Sequence, residues 1–565
     1  MLSGTGAGDI LITGIATING DLLVDRTTDI MTIASTGSLK GSGSIDSGII
    51  INGTHSPGNS IGTQSITGNV TYNSGSVIEI ELDNDGNHDQ INITGDLTIN
   101  NGATFKGVSF GGAVSNSLIL DIMTYTGELT VGGGVVTDER FAFDTSYLDT
   151  AVLDFTLSHS TTDDTIYMIV NPSEFNPLSV SSFTDGLTLA LDNINSAGAS
   201  GEMASLIIQL QSILAESELH QAFTELSPVQ LNATPAAIVA ATQSIGDVIS
   251  GHIDKVTAGV TNQRLASEKV ASKNSGVLLN VDQSLVIEQK KWTPFIEFVV
   301  SKGDQDDKDG ISGYKLDNTG FIIGTDYLVS DKFLVGLSGS YMQPSMDSND
   351  DLVSIDIETW QANVYSSYFL QNFYIDANAG YGWSKIDSER QINFMGTAAE
   401  ADHDAEYFAL GVGAGYRLDV YKKVIVEPFC ELNYVDMDED GYEESGAGGA
   451  NSKISSNSVE SLKSGLGIRL AKLFDLQNGI SIKPEISYRW EHEFKDDAVS
   501  NSASFVSAGS SFTTEGIKPD ANHHIFGASI KAFMGHQMSL YLNYEYDRSD
   551  SYRSHNGLAG IEINF

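Results

Sequence analysis

Apolar and polar side chains alternate with a period of two through the C-terminal part of the chain, from Trp292 to its last residue. In the closing stretch, residues 557–565, Ile561 and Ile563 share one face of a strand and Glu562 lies on the other. A barrel wall in a bilayer requires this pattern, because hydrocarbon tolerates neither charges nor unpaired backbone groups. A soluble all-β domain shows the same alternation and is the alternative. Several apolar rows end in aromatic residues, as a membrane-interface girdle does: Trp383, Tyr416, Trp490 and Tyr546.

Turn signals divide this region into twelve strands. Five short turns alternate with six long connections that are acidic or rich in Ser and Gly. Short turns on one side and long loops on the other are typical of outer-membrane barrels. The sequence therefore predicts a twelve-stranded antiparallel transmembrane β-barrel over residues 291–565. The long loops are expected near residues 302–310, 344–351, 388–402, 436–453, 494–510 and 547–552.

Residues 1–175 carry short β-branched runs separated by Gly, Asn and Ser, as in residues 77–82 and 91–94. The tripeptide Ile-Thr-Gly begins at positions 12, 66 and 93, which suggests a repeat of about 27 residues. Stacked short strands of this kind predict a right-handed parallel β-helix. An ordinary β-sandwich is the alternative.

The period changes between residues 176 and 290. Good helix formers extend from Met203 to Leu226, and a second helical stretch opens at Thr234 with Pro235 in its first turn. This second stretch, about residues 235–272, is rich in Ala, Gly and Ser. Each Gly costs a helix about 1 kcal/mol, so their number favours a thin helix threaded through a pore over an ordinary surface helix. The predicted fold class is all-β with a helical linker: a β-helix, a pore-spanning helix and a barrel.

Composition narrows the class of protein further. Thirty Lys and Arg against 74 Asp and Glu give a formal charge of −44, which argues against nucleic acid as a partner. The single cysteine, Cys430, excludes an internal disulfide framework. No segment has the roughly 18–20 uninterrupted apolar residues of a membrane helix. The first residues contain neither a basic nor an apolar export region, so the chain is expected to be a fragment that lacks its true start.

Motifs for catalysis and metal binding are weak. Residues 107–111, Gly-Val-Ser-Phe-Gly, match a nucleophile elbow, but short strands follow them where a helix is required. Residues 83–89 resemble a calcium loop with a misplaced Gly and Thr94 in place of the closing Glu, so a turn explains them better. We therefore predict no catalytic residue, no metal site and no cofactor.

Several segments carry a family resemblance. They are the junction segment Phe223-Thr-Glu-Leu-Ser-Pro-Val, residues 313–331 of the second barrel strand, the prolines within Glu427-Pro-Phe and Lys483-Pro-Glu, residues 489–494, residues 56–62, and the ending Gly560-x-x-Ile563-x-Phe565. On these segments, and on the order β-helix, helix, barrel, the chain resembles the autotransporters, the type Va secretion proteins of Gram-negative bacteria.

The resemblance implies a location and a function. The barrel would insert in the outer membrane, among lipid and lipopolysaccharide, and display the β-helix at the cell surface as an adhesin or stalk that meets a host-cell surface. Gly560, Ile563 and Phe565 would form the signal read by the barrel-assembly machinery, after periplasmic chaperones deliver a monomer. The alternative is a carrier for a secreted enzyme whose catalytic domain lies upstream.

The resemblance also implies that the helix remains in the pore as a plug. We expect Asp247, Asp254 or Arg264 of the helix to pair with charges that face inward from the wall. The candidate wall residues are Asp326, Asp376, Arg417, Glu427, Glu431, Lys463, Arg469, Lys483, Arg489 and Glu545. The alternative is that these are solvated pore charges with no fixed partner.

Overall fold

The computed structural model describes residues 10–23, 30–83, 86–110, 113–135, 149–179, 181–273, 291–370, 372–421, 424–476, 480–534 and 538–563, with the backbone alone at 23, 107–110, 135, 254–273 and 421. The chain forms two compact units. One comprises Met1–Thr224 with Gly448–Ala450, and the other Glu225–Ala447 with Asn451–Phe565.

The first unit is built on three sheets of short parallel strands. The sheet orders are β1-β4-β7-β10-β13-β16-β17, β14-β11-β8-β5-β2 and β18-β19-β15-β12-β9-β6-β3, with the last strand or two of two sheets antiparallel. The strands are β1 Ile10–Ile12, β2 Ile15–Thr17, β3 Leu22–Leu23, β4 Ile30–Ile33, β5 Ser38–Gly41, β6 Ser44–Asp46, β7 Gly48–Ile51, β8 Thr54–Pro57, β9 Thr63–Thr67, β10 Val70–Tyr72, β11 Val77–Leu82, β12 Gln90–Thr94, β13 Leu97–Ile99, β14 Thr104–Phe110, β15 Leu118–Tyr125, β16 Leu129–Val131, β17 Gly134–Val135, β18 Leu153–Ser160 and β19 Thr165–Pro172.

Apolar side chains from all three sheets meet inside this stack. Ile33, Ile51, Ile80, Ile91 and Phe105 are fully buried within one continuous core. In each sheet a strand pairs in parallel with the strand three positions later in the chain, as β4 does with β7 and β10 with β13. The predicted parallel β-helix is therefore confirmed.

The repeat of about 27 residues is not general. Ile66 does pair with Ile93, 27 positions later. Ile12 instead pairs with Ile33, and other rungs are shorter or longer, since Leu39 pairs with His55 and Ile91 with Met123. The reason is that the pairing fixes only the strands, whereas the turns between them vary in length.

Helices follow the last strand of the stack. The structure has α1 Ser182–Ser196, α2 Gly201–Gln211 and α3 Glu216–Leu226, so α1 is a helix that the sequence analysis missed. Leu187, Leu191 and Ile194 bury one face of α1. Asp192 on α1 accepts the backbone N–H of Phe175 at 2.7 Å, which fixes the chain that leaves the stack.

The second unit is a closed ring of twelve long antiparallel strands, as predicted. Strand β20 pairs with both β21 and β37, and β25 pairs with β27, so the ring has no free edge along these strands. The ring strands are β20 Trp292–Gln305, β21 Tyr314–Ser330, β22 Phe333–Ser348, β23 Val353–Leu370, β24 Phe373–Ile392, β25 Thr397–Tyr416, β27 Val424–Glu439, β30 Asn457–Lys472, β32 Ile480–Glu493, β35 Asn522–Met534, β36 Met538–Arg548 and β37 Tyr552–Ile563. Short strands accompany them: β26 Leu418–Tyr421, β28 Tyr442–Glu443, β29 Ser452–Ile454, β31 Phe474–Asp475, β33 Ser500–Phe505 and β34 Ala508–Glu515.

The apolar face of the ring points outward. Ile468 is 48% exposed and Ile486 is 59% exposed, whereas Glu562 on the opposite face of its strand is 2% exposed. Cys430 is likewise exposed on the outer face. Among the described residues, no helix combines the length and apolarity needed to cross a membrane.

Four of the predicted long loops are shorter than expected. Residues 388–402 form the ends of β24 and β25, joined by a turn at 393–396, and residues 302–310, 344–351 and 547–552 are also partly strand. Around 400 the small residues Ala399, Ala401 and Ala405 are buried while the acidic residues between them are exposed. The acidic composition therefore marks a strand that continues into water, and not a loop.

The two longest connections fold together. Residues 440–456 and 494–521 contain β28, β29, β33 and β34, which form a separate four-stranded sheet in that order. Its core is Phe505, Phe512 and Ile454, each 5% exposed or less.

Inward-facing glycines of the ring are covered by aromatic rings from neighbouring strands. A Cβ at Gly336 would lie 2.1 Å from the Tyr365 ring, and one at Gly560 would lie 2.3 Å from the Tyr541 ring. Such pairs hold the register of adjacent strands and fill the lumen without displacing the backbone.

Candidate pore and plug site

Helix α4, Thr234–Lys273, runs inside the ring and contacts β21–β25 and β27. The Thr234 hydroxyl donates to the Leu231 carbonyl at 2.9 Å where the helix begins. Pro235 follows in the first turn, where its missing N–H leaves no hydrogen bond unmade. The predicted pore-spanning helix is confirmed.

One face of α4 is apolar, which the sequence analysis did not anticipate. This face packs against apolar side chains that point inward from β20 to β24, and each such burial is worth about 1.5–3 kcal/mol. Because the inner wall is apolar along this side, the helix is held off the middle of the lumen. The packed residues are Ala241, Ile245, Val248, Ile249 and Ile253 of the helix with Phe295, Val299, Ile322, Leu328, Leu334, Met342, Tyr365, Phe369 and Tyr374 of the wall.

The opposite face of α4 meets an arginine that is surrounded by carboxylates. Arg489 lies 3.2 Å from Asp247 of the helix, 2.8 Å from Glu491, 3.3 Å from Glu431 and 3.8 Å from Glu545. Both terminal nitrogens of Arg489 face the Asp247 carboxylate, one to each oxygen. A planar guanidinium suits this fork geometry, so Arg489 joins the helix to three wall strands at once.

Gln243 lies one turn before Asp247 and extends the same contact. Its side-chain amide donates to Glu491 at 2.9 Å and its oxygen accepts from the Lys463 ammonium at 2.8 Å. Neutral glutamines are abundant in any chain, and only the position of Gln243 one helical turn from a charged contact could have indicated its role.

A second charged cluster lies on the wall itself. Glu427 accepts hydrogen bonds from Arg417 at 2.8 Å, Arg469 at 2.8 Å and the Tyr374 hydroxyl at 2.7 Å. Arg469 also lies over the Phe429 ring, 4.0 Å from its centroid. Two of the predicted wall cations, Arg417 and Arg469, are thus brought together on a predicted wall glutamate.

His252 of α4 is the main site residue that sequence reasoning missed. It is fully buried, with Nε2 2.5 Å from Asp326 and Nδ1 3.2 Å from Glu562. The Glu562 carboxylate also accepts from the Lys531 ammonium at 2.6 Å. The Phe295 ring stacks on the imidazole at 3.9 Å. A lone histidine in a small-residue helix gave no periodic signal.

The remaining predicted residues lie apart from these clusters. Lys483 pairs with Glu485 on its own strand at 2.9 Å, and Asp376 accepts the Ser367 hydroxyl from the neighbouring strand. Gly560 faces the lumen and Ile563 faces outward, 40% exposed. Outside the described residues lie the side chains of Asp254 and Arg264, and the whole of Phe565.

The structure also shows the surroundings of the nucleophile-elbow motif and of the stretch that resembles a calcium loop. Ser109 belongs to strand β14 and pairs with Glu81, so it does not sit on a strand-to-helix turn. Asp83 accepts two hydrogen bonds from Asn87, each at 2.8 Å, and closes a turn.

The lumen is not filled by the helix. A cavity of about 700 Å³ lies between the polar side of α4 and the wall on strands β20, β30, β32 and β35–β37. Its lining includes Gln243, Asp247, Lys463, Arg489, Glu545 and Asp547. The ring is therefore a wall that is apolar outside, with a lumen that a single off-centre helix occupies in part.

Comparison with known proteins gives a family model and several relatives. The family model Autotransporter beta-domain matches residues 294–545. Outer membrane protein B of Rickettsia prowazekii is 25% identical over 307 residues, which cover 52% of this chain and 18% of the relative. Esterase EstA of Pseudomonas aeruginosa is 18% identical over 283 residues, which cover 49% of this chain and 43% of the esterase. The translocator domain of autotransporter NalP from Neisseria meningitidis is 14% identical with a TM-score of 0.40, covering 58% of this chain and all of that one.

A closed twelve-stranded wall with a lipid-facing exterior and a helix in its lumen defines an outer-membrane translocator barrel. The barrel belongs to the autotransporter beta-domain family and lies in the bacterial outer membrane. The chain spans about a fifth of the length of its Rickettsia relative.

Proposed function

We propose that the barrel exports the N-terminal β-helix and displays it at the cell surface, while α4 remains in the lumen as a plug. The observation that carries this proposal is the occupied lumen. Residues 234–253 of α4 pack on the wall through one face and meet Arg489 through the other. With α4 held in the lumen after export, the β-helix stays connected through it to the barrel and so to the membrane.

The displayed β-helix serves, in this proposal, as an adhesin or stalk that meets a host-cell surface. Supporting it, the β-helix has a continuous apolar core and an outward face of Thr, Ser, Asn and acidic residues. The one nucleophile-elbow motif lies in a strand. The proposal includes no catalytic activity for the chain. In this proposal, periplasmic chaperones deliver the chain as a monomer. The barrel-assembly machinery then inserts it among lipid and lipopolysaccharide.

A second candidate, a carrier for a secreted enzyme, draws on the 18% identity of 283 residues of this chain to Esterase EstA. The full reading frame separates the two, because a catalytic domain upstream of the β-helix would favour the carrier.

Protease treatment of intact cells tests the export. We expect cleavage within residues 1–200 and protection of residues 291–563, because the wall strands lie in the bilayer and the β-helix lies outside. Permeabilised cells provide the control, since protease then reaches both faces of the membrane. A β-helix that resists protease on intact cells but is cut after permeabilisation would contradict the proposal.

A further inference from the structure

The segment that leads into α4 is buried at the end of the barrel that carries the long connections. This junction segment, Glu225–Thr234, comprises the end of α3 and the 3-10 helix Val229–Ala233. Glu225, Asn232 and Thr234 are each 5% exposed or less although all three are polar. Buried polar groups require partners, so the contacts of the segment are informative.

The first contact comes from an arginine of the wall. Arg390, near the end of β24, is 1% exposed and is the largest fully buried side chain. Its Nε and Nη2 bind the two oxygens of Glu444, at 3.0 and 2.5 Å, and its Nη1 donates to the Glu225 carbonyl at 2.6 Å. The Glu225 carboxylate in turn accepts the Phe394 backbone N–H at 3.0 Å.

The separate sheet supplies the second contact. The Asn232 side-chain oxygen accepts from Asn501 at 2.7 Å, and its nitrogen donates to the Thr514 hydroxyl at 3.3 Å. Both partners lie on β33 and β34. On the other side of the segment, Gln230 donates to Asp350 in the turn after β22 at 2.7 Å.

These contacts together bind one stretch of backbone and side chains. Taking Arg390 and Glu444 out of water is costly, and the pair alone does not explain their burial. Locked to Glu444, the guanidinium presents a fixed donor to one carbonyl of the chain. Asn501 donates to the oxygen of the Asn232 side-chain amide, and Thr514 accepts from its nitrogen.

We propose that Arg390, Glu444, Asn501, Thr514 and Asp350 form a junction clamp, a binding site for the chain's own Glu225–Thr234 segment that is occupied when export ends. The inference rests on the proposed export function, and it adds the contact that stops export. The clamp accepts a peptide that offers a backbone carbonyl to Arg390 and a side-chain amide seven residues later. It stops the chain with α4 in the lumen, and it closes the end of the pore above the cavity.

A disulfide reporter tests when the clamp is occupied. A Cβ at Gly516 would lie 2.8 Å from the Asn232 Cβ, so a small shift reaches the spacing of about 3.8 Å that a disulfide needs. In a Cys430→Ala background, Asn232→Cys and Gly516→Cys should cross-link during a pulse-chase of export in cells. We expect the cross-link to form only after the β-helix becomes sensitive to external protease.

Two outcomes of this test contradict the clamp. A cross-link that precedes surface exposure would overturn it, and so would full exposure without a cross-link. Failure of the unaltered chain to expose its β-helix would contradict the export function instead.

Conductance of the purified protein in planar bilayers tests the closure. Arg390→Ala removes a buried charged donor and should raise the open population about tenfold to a hundredfold. Asn501→Ala removes a neutral partner and should act in the same direction with a smaller effect. The matched control is Glu443→Ala, which breaks the exposed 2.7 Å pair with Lys453 on the same sheet and should leave conductance unchanged.

Heat-modifiable migration on gels shows whether each variant still forms the barrel. Folded Arg390→Ala and Asn501→Ala barrels with the conductance of the Glu443→Ala control would overturn the clamp. If Arg390→Ala does not fold, the Asn501→Ala result decides.

Discussion

The β-helix and the barrel share the same alternation of apolar and polar side chains, but their apolar faces point in opposite directions. In the β-helix the apolar face turns inward, and Ile80 and Ile91 are fully buried. In the barrel the apolar face turns outward, and Ile468 and Ile486 remain about half exposed. The interior of the barrel collects Arg489, Glu427 and their partners. The comparison teaches that a period of two specifies a strand, and that the surroundings decide which face is the core.

The largest loss of stability is expected from a charge placed in the β-helix core. Ile80→Asp places an unpaired carboxylate among apolar residues from three sheets, and should lower the free energy of unfolding by more than about 4 kcal/mol. Urea unfolding followed by circular dichroism measures it. Thr98→Asp, with the same new side chain on the outward face of β13, is the control and should change stability by less than about 1 kcal/mol. Equal losses at the two positions would mean that the faces are assigned wrongly.

A charge on the outer face of the barrel should be less costly. Ile468→Arg puts a guanidinium into hydrocarbon and should destabilise the barrel by about 2–4 kcal/mol if the residue lies near the bilayer centre. Equilibrium folding into lipid vesicles provides the measurement. Lys463→Arg on the same strand faces the lumen, so its charge stays in a polar setting and we expect almost no change. A null result for Ile468→Arg would argue that this face does not contact lipid.

The smallest effect concerns a titratable group inside the β-helix. His55 is fully buried between the Tyr72 hydroxyl at 2.6 Å and Gln64 at 2.7 Å, and burial lowers its pKa to about 4. The unfolded chain binds a proton near pH 6.5, so acidification favours unfolding from there down to about pH 4. His55 alone should lower stability by roughly 1 kcal/mol between about pH 7 and about pH 5.5.

Asp89 acts in the opposite direction over part of this range. Burial raises its pKa to about 6, so the folded state gains protons first as the pH falls and stability rises. Comparison with His55→Gln isolates the histidine. Urea midpoints of the two proteins should converge as the pH falls, and parallel curves would show that His55 is not the titrating group.

Much of the fold followed from the sequence because strand faces and helix periods are local. The twelve wall strands, the parallel stack and the pore helix were all predicted. The strand ends near 388–402 were assigned to loops because acidic residues alternate there with alanine, and composition outweighed the period. The four-stranded sheet was not predicted, because it joins two connections that are distant in sequence.

The site was less accessible to sequence reasoning. Asp247 and Arg489 were both candidates, but nothing in their spacing indicated that they would be 3.2 Å apart. His252, Gln243 and Arg390 gave no signal of their own. Each gains its role from partners 54 or more residues away, which only the closed ring brings near.

The unequal rungs of the β-helix have a consequence for how such a stalk changes over generations. Because neighbouring rungs match only along their strands, the corners between them accept insertions and deletions without altering the layers above or below. New surface relief can thus accumulate at the corners while the stem stays the same width.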